Sequence, residues 1–145
     1  MQLTSSPVVR AEPVVTVDHV ASALLAAVAL LVAAPATAAS ISFAEDVQPI
    51  LTQHCVMCHL PGAAQGEHSL YPDAWASMVN IPSAQSELML VEPGKPEASY
   101  SYLKLTGDHL EAGGSGEIMP FPNGPLAPDE IDRFRRWIEQ GAEKN

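Results

Sequence analysis

The sequence predicts an all-α domain in which a few short helices are joined by long irregular connections. Two stretches carry helical signals at opposite ends of residues 40–145, one opening at Ser42 and one at Pro128. Thirteen prolines and nine glycines are more than a tight bundle tolerates, so irregular backbone must separate the helices. At 145 residues there is room for one domain.

Residues 1–39 are expected to be a secretory signal. The run VASALLAAVALLVAA, Val20 to Ala34, is apolar and uncharged, and small residues follow it at Pro35-Ala36-Thr37-Ala38-Ala39. At about 15 residues it falls short of the ~20 needed to span a bilayer. Cleavage after Ala38 or Ala39 would leave a mature domain over residues 40–145 in the periplasm or another exported compartment. Only Arg10 stands against Glu12 and Asp18 in the first 18 residues, where a signal should be positive. A downstream start, an unusual leader and an uncleaved membrane anchor all stay open.

The first helix opens on Ser42-Phe43-Ala44-Glu45, a capping-box pattern. Phe43, Val47, Ile50 and Leu51 then share one helical face. Pro49 within that helix demands a later start or a bend. A glycine-rich loop follows Leu60, then a helix candidate from Pro72 to Val79, then an ambiguous apolar run between Ile81 and Val91. Pro96 to Leu105 reads as one helix, with Glu97 in its first turn, Gly107 past its end, and Tyr100, Leu103 and Leu105 facing inward. Thr106 to Pro125 is irregular by composition, and a loop of that length usually has a function. The last helix starts near Pro128 with Asp129 and Glu130 in its first turn and stops at Gly141. Its face of Ile131, Phe134, Trp137 and Ile138 should cross the first helix, with Arg133, Arg135 and Arg136 pointing elsewhere.

Chemistry concentrates at Cys55-Val56-Met57-Cys58-His59, which holds both cysteines of the chain. Cys-x-x-Cys-His is the pattern of covalent c-type haem attachment: two thiols reach the two vinyl groups of one haem, and the adjacent histidine is held under the iron. His59 is then the proximal ligand. Zinc through Cys55, Cys58, His59 and His68 lacks a second cysteine pair, and a thioredoxin-like pair lacks a surrounding βαβ pattern. Met119 is the expected distal ligand, a thioether beside Pro120 in a glycine-rich loop. Met78 and Met89 read as core, and Met57 points the wrong way. His54 reads as a solvated helix-end residue, and His68 and His109 as solvated loop histidines. Tyr71, Trp75, Tyr100 and Tyr102 are aromatic candidates for contact with the porphyrin, although such spacing is more often plain core.

The order of motifs resembles the monohaem cytochromes c, and more narrowly the planctomycete-type cytochrome c domain. The shared features run from Phe43-x-x-Asp46-Val47-Gln48-Pro49-Ile50-Leu51 through Cys55-x-x-Cys58-His59 and Val91-Glu92-Pro93-Gly94-Lys95-Pro96-Glu97-x-Ser99-Tyr100. Met119-Pro120 and Trp137-Ile138-x-x-Gly141-Ala142 complete them. Leu60 and Ala127 depart from the pattern, standing where glycine and an N-cap Ser or Thr are frequent. The resemblance implies a class I cytochrome c-like fold, with N- and C-terminal helices packed together around one covalently bound haem c. It also implies Met119 as distal ligand and electron transfer as the activity.

The leading expectation is therefore a one-electron carrier with His/Met-ligated iron rather than an enzyme. A haem enzyme subunit or small-ligand sensor with an open or labile distal position is the alternative. A net charge of −10 argues against nucleic acid and suits redox partner proteins with a basic docking surface. Membrane association is expected only if the N-terminal segment is retained. Expressed in a host that exports it, the protein should begin at Ala39 or Ser40, as read by intact mass and N-terminal sequencing. A chain that still contains Val20 would overturn export with cleavage.

Overall fold

Ser42 starts the first helical segment as the sequence predicts, its Oγ accepting from Glu45 N at 3.2 Å. The reciprocal arm of the cap comes from a different residue. Ser42 N donates to Asp46 Oδ2 at 2.8 Å, one position beyond Glu45. That extra residue per turn is in keeping with the backbone, which is π-helical over Phe43–Val47. The α-helix proper, α1, begins only at Gln48 and runs Gln48–His54, so Pro49 lies in its first turn, where its missing N–H costs nothing.

This computed structural model describes residues 39–62 and 68–145. The expected leader lies outside the described residues except for Ala39, as do residues 63–67 of the glycine-rich loop. The described residues are helical and contain no strand; α2 spans Ala74–Met78, α3 Tyr100–Thr106 and α4 Pro128–Glu139. Among them no helix is long and apolar enough to cross a membrane.

Two of the predicted elements are shorter than the sequence suggests. Asp73 caps α2 through Ala76 N, and the helix ends at Met78. The expected helix from Pro96 to Leu105 is broken at Ser99, giving a 3₁₀ turn, Pro96–Ala98, and then α3. The cause is the Ser99 side chain: its Oγ accepts from Glu92 N at 2.9 Å and donates to Lys95 O at 2.8 Å. A buried serine that offers the backbone such partners competes with helix. Gly107 ends α3 at φ +92, in the left-handed region that glycine takes without steric cost. The ambiguous run from Ile81 to Val91 is neither helix nor strand. It doubles back on itself through isolated bridges joining Val79 to Val91 and Pro82 to Met89. Met89, expected in the core, is exposed as a result.

The core joins the two ends of the domain. Phe134, Trp137 and Ile138 on α4 are buried, as predicted, and the rings of Trp137 and Phe43 lie 5.2 Å apart. Two arginines of α4 pair along the helix, Arg133 with Asp129 and Arg135 with Asp132 and Glu139, and Arg136 donates to Ala39 O at 3.0 Å. Asn145 closes the seam: Ser42 Oγ and Ala44 N donate to its carbonyl, and Phe43 N donates to its Oδ1. Trp75 Nε1 ties α2 to the same region through Ala142 O at 2.7 Å.

Trp137 is the largest fully buried side chain of this seam. Trp137→Ala should cost about 3–5 kcal/mol of stability, read by urea denaturation followed by far-UV circular dichroism. A loss below about 1 kcal/mol would show that the seam does not hold the domain together.

Candidate functional site

The end of α1 leads straight into the cysteine motif. Cys55 N and Val56 N donate to Leu51 O at 2.9 and 3.0 Å, and His59 N donates to Cys55 O and Val56 O, both at 3.1 Å. These bonds wind the five residues into a tight turn, which gathers both sulfurs and the imidazole at one site. Both cysteines are free, Cys55 half-buried and Cys58 exposed.

His59 is buried and fixed from several directions. Its carbonyl accepts from Leu70 N at 2.8 Å and Ser69 Oγ at 3.2 Å. Its Nδ1 lies 3.3 Å from His68 O. A carbonyl only accepts, so in the neutral ring Nδ1 carries the hydrogen and Nε2 presents a lone pair. A backbone partner on the far nitrogen is how metal-ligating histidines are oriented. The His68 ring packs against that of His59, with centroids 4.6 Å apart, so His68 is not the solvated loop residue expected.

The two cysteines, His59 and Met119 line one cavity of about 540 Å³, within the ~300–1,000 Å³ typical of cofactor sites. Met119 is half-buried on the long loop, and its N–H donates to Lys104 O at 2.8 Å, which pins the loop to α3. Leu51, Leu70, Met78, Leu90, Leu105 and Phe134 supply apolar wall. Met78 is buried in the core, as expected, but it also faces the cavity. Met57 is 80% exposed and does not line the cavity.

His54 lines the cavity and is half-buried and paired rather than simply solvated. Its Nε2 pairs with Glu130 Oε1 at 3.1 Å, which occupies that nitrogen with the first turn of α4. His109 is a clearer correction: it is 2% exposed, with Nε2 at 2.9 Å from Gly116 O, and it fastens the loop from within. Of the aromatic candidates, only Tyr100 lines the cavity. Trp75 is bound to Ala142 O, and Tyr71 is exposed. The sequence reading missed Lys104, which is buried and lines the cavity beside Tyr100. The signal was the i, i+4 spacing of Tyr100 and Lys104, which puts both on one face of α3.

The donor set decides which groups fit. Burial, then the neighbouring Cys58 and Glu130, push the Cys55 thiol up to about 11. Thiols that exchange disulfides or bind zinc are shifted the other way. Among the described residues no group of three or more His, Cys, Asp or Glu side chains is placed to hold a metal ion, which leaves zinc without a closed ligand set. A haem asks less of the chain: two thiols at its edge and one axial donor on each face, since the porphyrin supplies the other four nitrogens. The residues present fit that group. No family model, curated protein or solved structure matches the chain.

In protein prepared without haem-maturation machinery, Cys55 should remain a thiol through neutral pH. Its iodoacetamide labelling rate should climb only as pH approaches about 11. The sign follows from the raised value: the folded state holds this proton more tightly than the unfolded chain, so the thiol's contribution to stability is lost as pH rises from about 9 through about 11. A labelling midpoint near the ordinary thiol value of about 8.5 would contradict the burial of this site.

Proposed function

We propose that this chain is an exported c-type monohaem cytochrome, similar to the planctomycete-type cytochrome c domain, that carries single electrons between partner proteins. The observation that carries the proposal is that Cys55, Cys58, a tautomer-fixed His59 and Met119 line one cavity of cofactor size. A class I cytochrome c-like arrangement is supported by the packing of Phe43 against Trp137, which brings the first and last helical segments of the domain together.

A covalently bound haem would supply a one-electron redox centre. The chain's own residues would hold and tune it. Cys55 and Cys58 would provide the two thioether links. His59 would offer its Nε2 as a ligand, with the proton on Nδ1 kept toward His68 O. Met119 would offer its thioether as a second ligand, and a Met/His pair raises the potential relative to two nitrogen ligands. The apolar wall would limit the access of water and favour the form of lower net charge. The net charge of −10 favours partners with a basic face, and salt should weaken such encounters.

Protein expressed with haem-maturation machinery should give a pyridine haemochrome spectrum of the c type and an intact mass increased by one haem. Absence of covalent haem would end the proposal. Met119→Ala should lower the midpoint potential and change the low-spin ferric spectrum, whereas an unchanged spectrum would remove Met119 as a ligand. Carbon monoxide separates the carrier from the alternative of a haem enzyme subunit or gas sensor. The reduced carrier should bind it slowly and weakly, and fast, tight binding would favour an open or labile distal position.

A further inference from the structure

Lys104 is 6% exposed and lines the cavity, yet no ion pair formed among the described residues includes it. Its Nζ donates to Ser115 O at 3.1 Å and lies 5.6 Å from the centroid of the Tyr100 ring. An ammonium has three N–H donors, and lysine is almost never this buried without a counter-charge. Glu117 lines the same cavity but forms no ion pair with Lys104.

The polar groups around Lys104 converge on a notch. A Cβ built on Gly116 would lie 3.0 Å from Lys104 Nζ and 3.2 Å from Gln85 Oε1, so the ends of both side chains come close to the backbone at this glycine, whose φ is +80. Tyr100 OH joins them, donating to Ser115 O at 2.5 Å and lying 3.4 Å from Gln85 Oε1. Gln85, Tyr100, Lys104 and Gly116 all line the same cavity as the cysteines. The cavity lining therefore combines an apolar wall with a buried cation that has an amide and a phenol near it. That combination matches an amphipathic occupant with an apolar body and a carboxylate.

We propose that Lys104, with Tyr100 and Gln85 around the Gly116 notch, is the counter-ion for a carboxylate of the cavity's occupant. This rests on the haem c function proposed above, under which that carboxylate is a haem propionate. The pairing would neutralise both charges where neither is well hydrated and would help to fix the orientation of the group. A cation beside the carboxylate also favours the more negative, reduced form of the centre.

The test begins with the haemochrome spectrum and intact mass of the parent protein. A parent without haem overturns the proposed function, and this assignment with it, before any variant is compared. In haem-loaded protein, Lys104→Met should shift the midpoint potential downward and move the propionate bending band in the resonance Raman spectrum, while Lys104→Arg should return both toward the parent. A Lys104→Met protein with covalent haem but unchanged potential and band would reduce Lys104 to a loop fastening and overturn the assignment, with the proposed function intact. Should Lys104→Met fail to fold, the parent decides alone: its propionate band should shift on transfer to D₂O, and an unmoved band overturns the pairing.

Discussion

Everything in this domain depends on keeping a cavity of about 540 Å³ open inside a chain with little regular structure. Helices this short are marginal on their own, and their stability comes from packing. The seam between Phe43 and Trp137, reinforced by the bonds of Asn145 to residues 41–44, supplies that packing. The cavity is lined from α1, from α3 with its loop, and from α4, whose Phe134 also packs on Trp137. The clamp and the cavity therefore share a wall, and the core that holds the domain also shapes the site.

The two faces of the site are held by different physics. On the cysteine side the chain is wound tightly, and His59 is fixed by four backbone groups, Leu70 N, His68 O, Cys55 O and Val56 O, and by Ser69 Oγ, which donates to its carbonyl. On the methionine side, Met119 is fixed through its backbone to Lys104 O, while its side chain is held only by packing against the core. The loop carrying it is fastened from inside, by Tyr100 OH and Lys104 Nζ on Ser115 O and by His109 on Gly116 O. The placement of His59 is thus built into the turn, whereas that of Met119 depends on two α3 side chains that reach across to the loop and on His109 within it.

Helix existence was legible in the sequence, and so was the grouping of the reactive residues. Ser42 and Pro128 mark helix starts by local chemistry, and Phe134, Trp137 and Ile138 mark a face by periodicity, so both could be read without the fold. What could not be read depended on distant partners. Ser99 breaks a helix because Glu92 N and Lys95 O are within its reach, and Met89 leaves the core because the run around it turns back on Val79. His54 and His109 looked like solvent-facing histidines, yet Glu130 and Gly116 O lie 76 and 7 residues away along the chain. Lys104 shows the limit most clearly: a charged residue within YSYLKL belongs by habit on the surface, and only the cavity behind it explains its burial.

Glu130 shows how α4 starts without a side-chain cap from Ala127. Ala127 has no side-chain oxygen with which to cap α4, and Glu130 N donates instead to Ala127 O at 3.0 Å. Glu130 Oε2 accepts from Ala127 N at 3.0 Å, which restores half of a capping box from the other end. The same carboxylate gives its other oxygen to His54 Nε2, and its charge is among the causes that raise the Cys55 thiol. One side chain therefore joins the start of α4, the end of α1 and the edge of the cysteine motif. A serine at position 127 would cap the helix without Glu130, but it would not link the two helices at the point where the reactive turn begins.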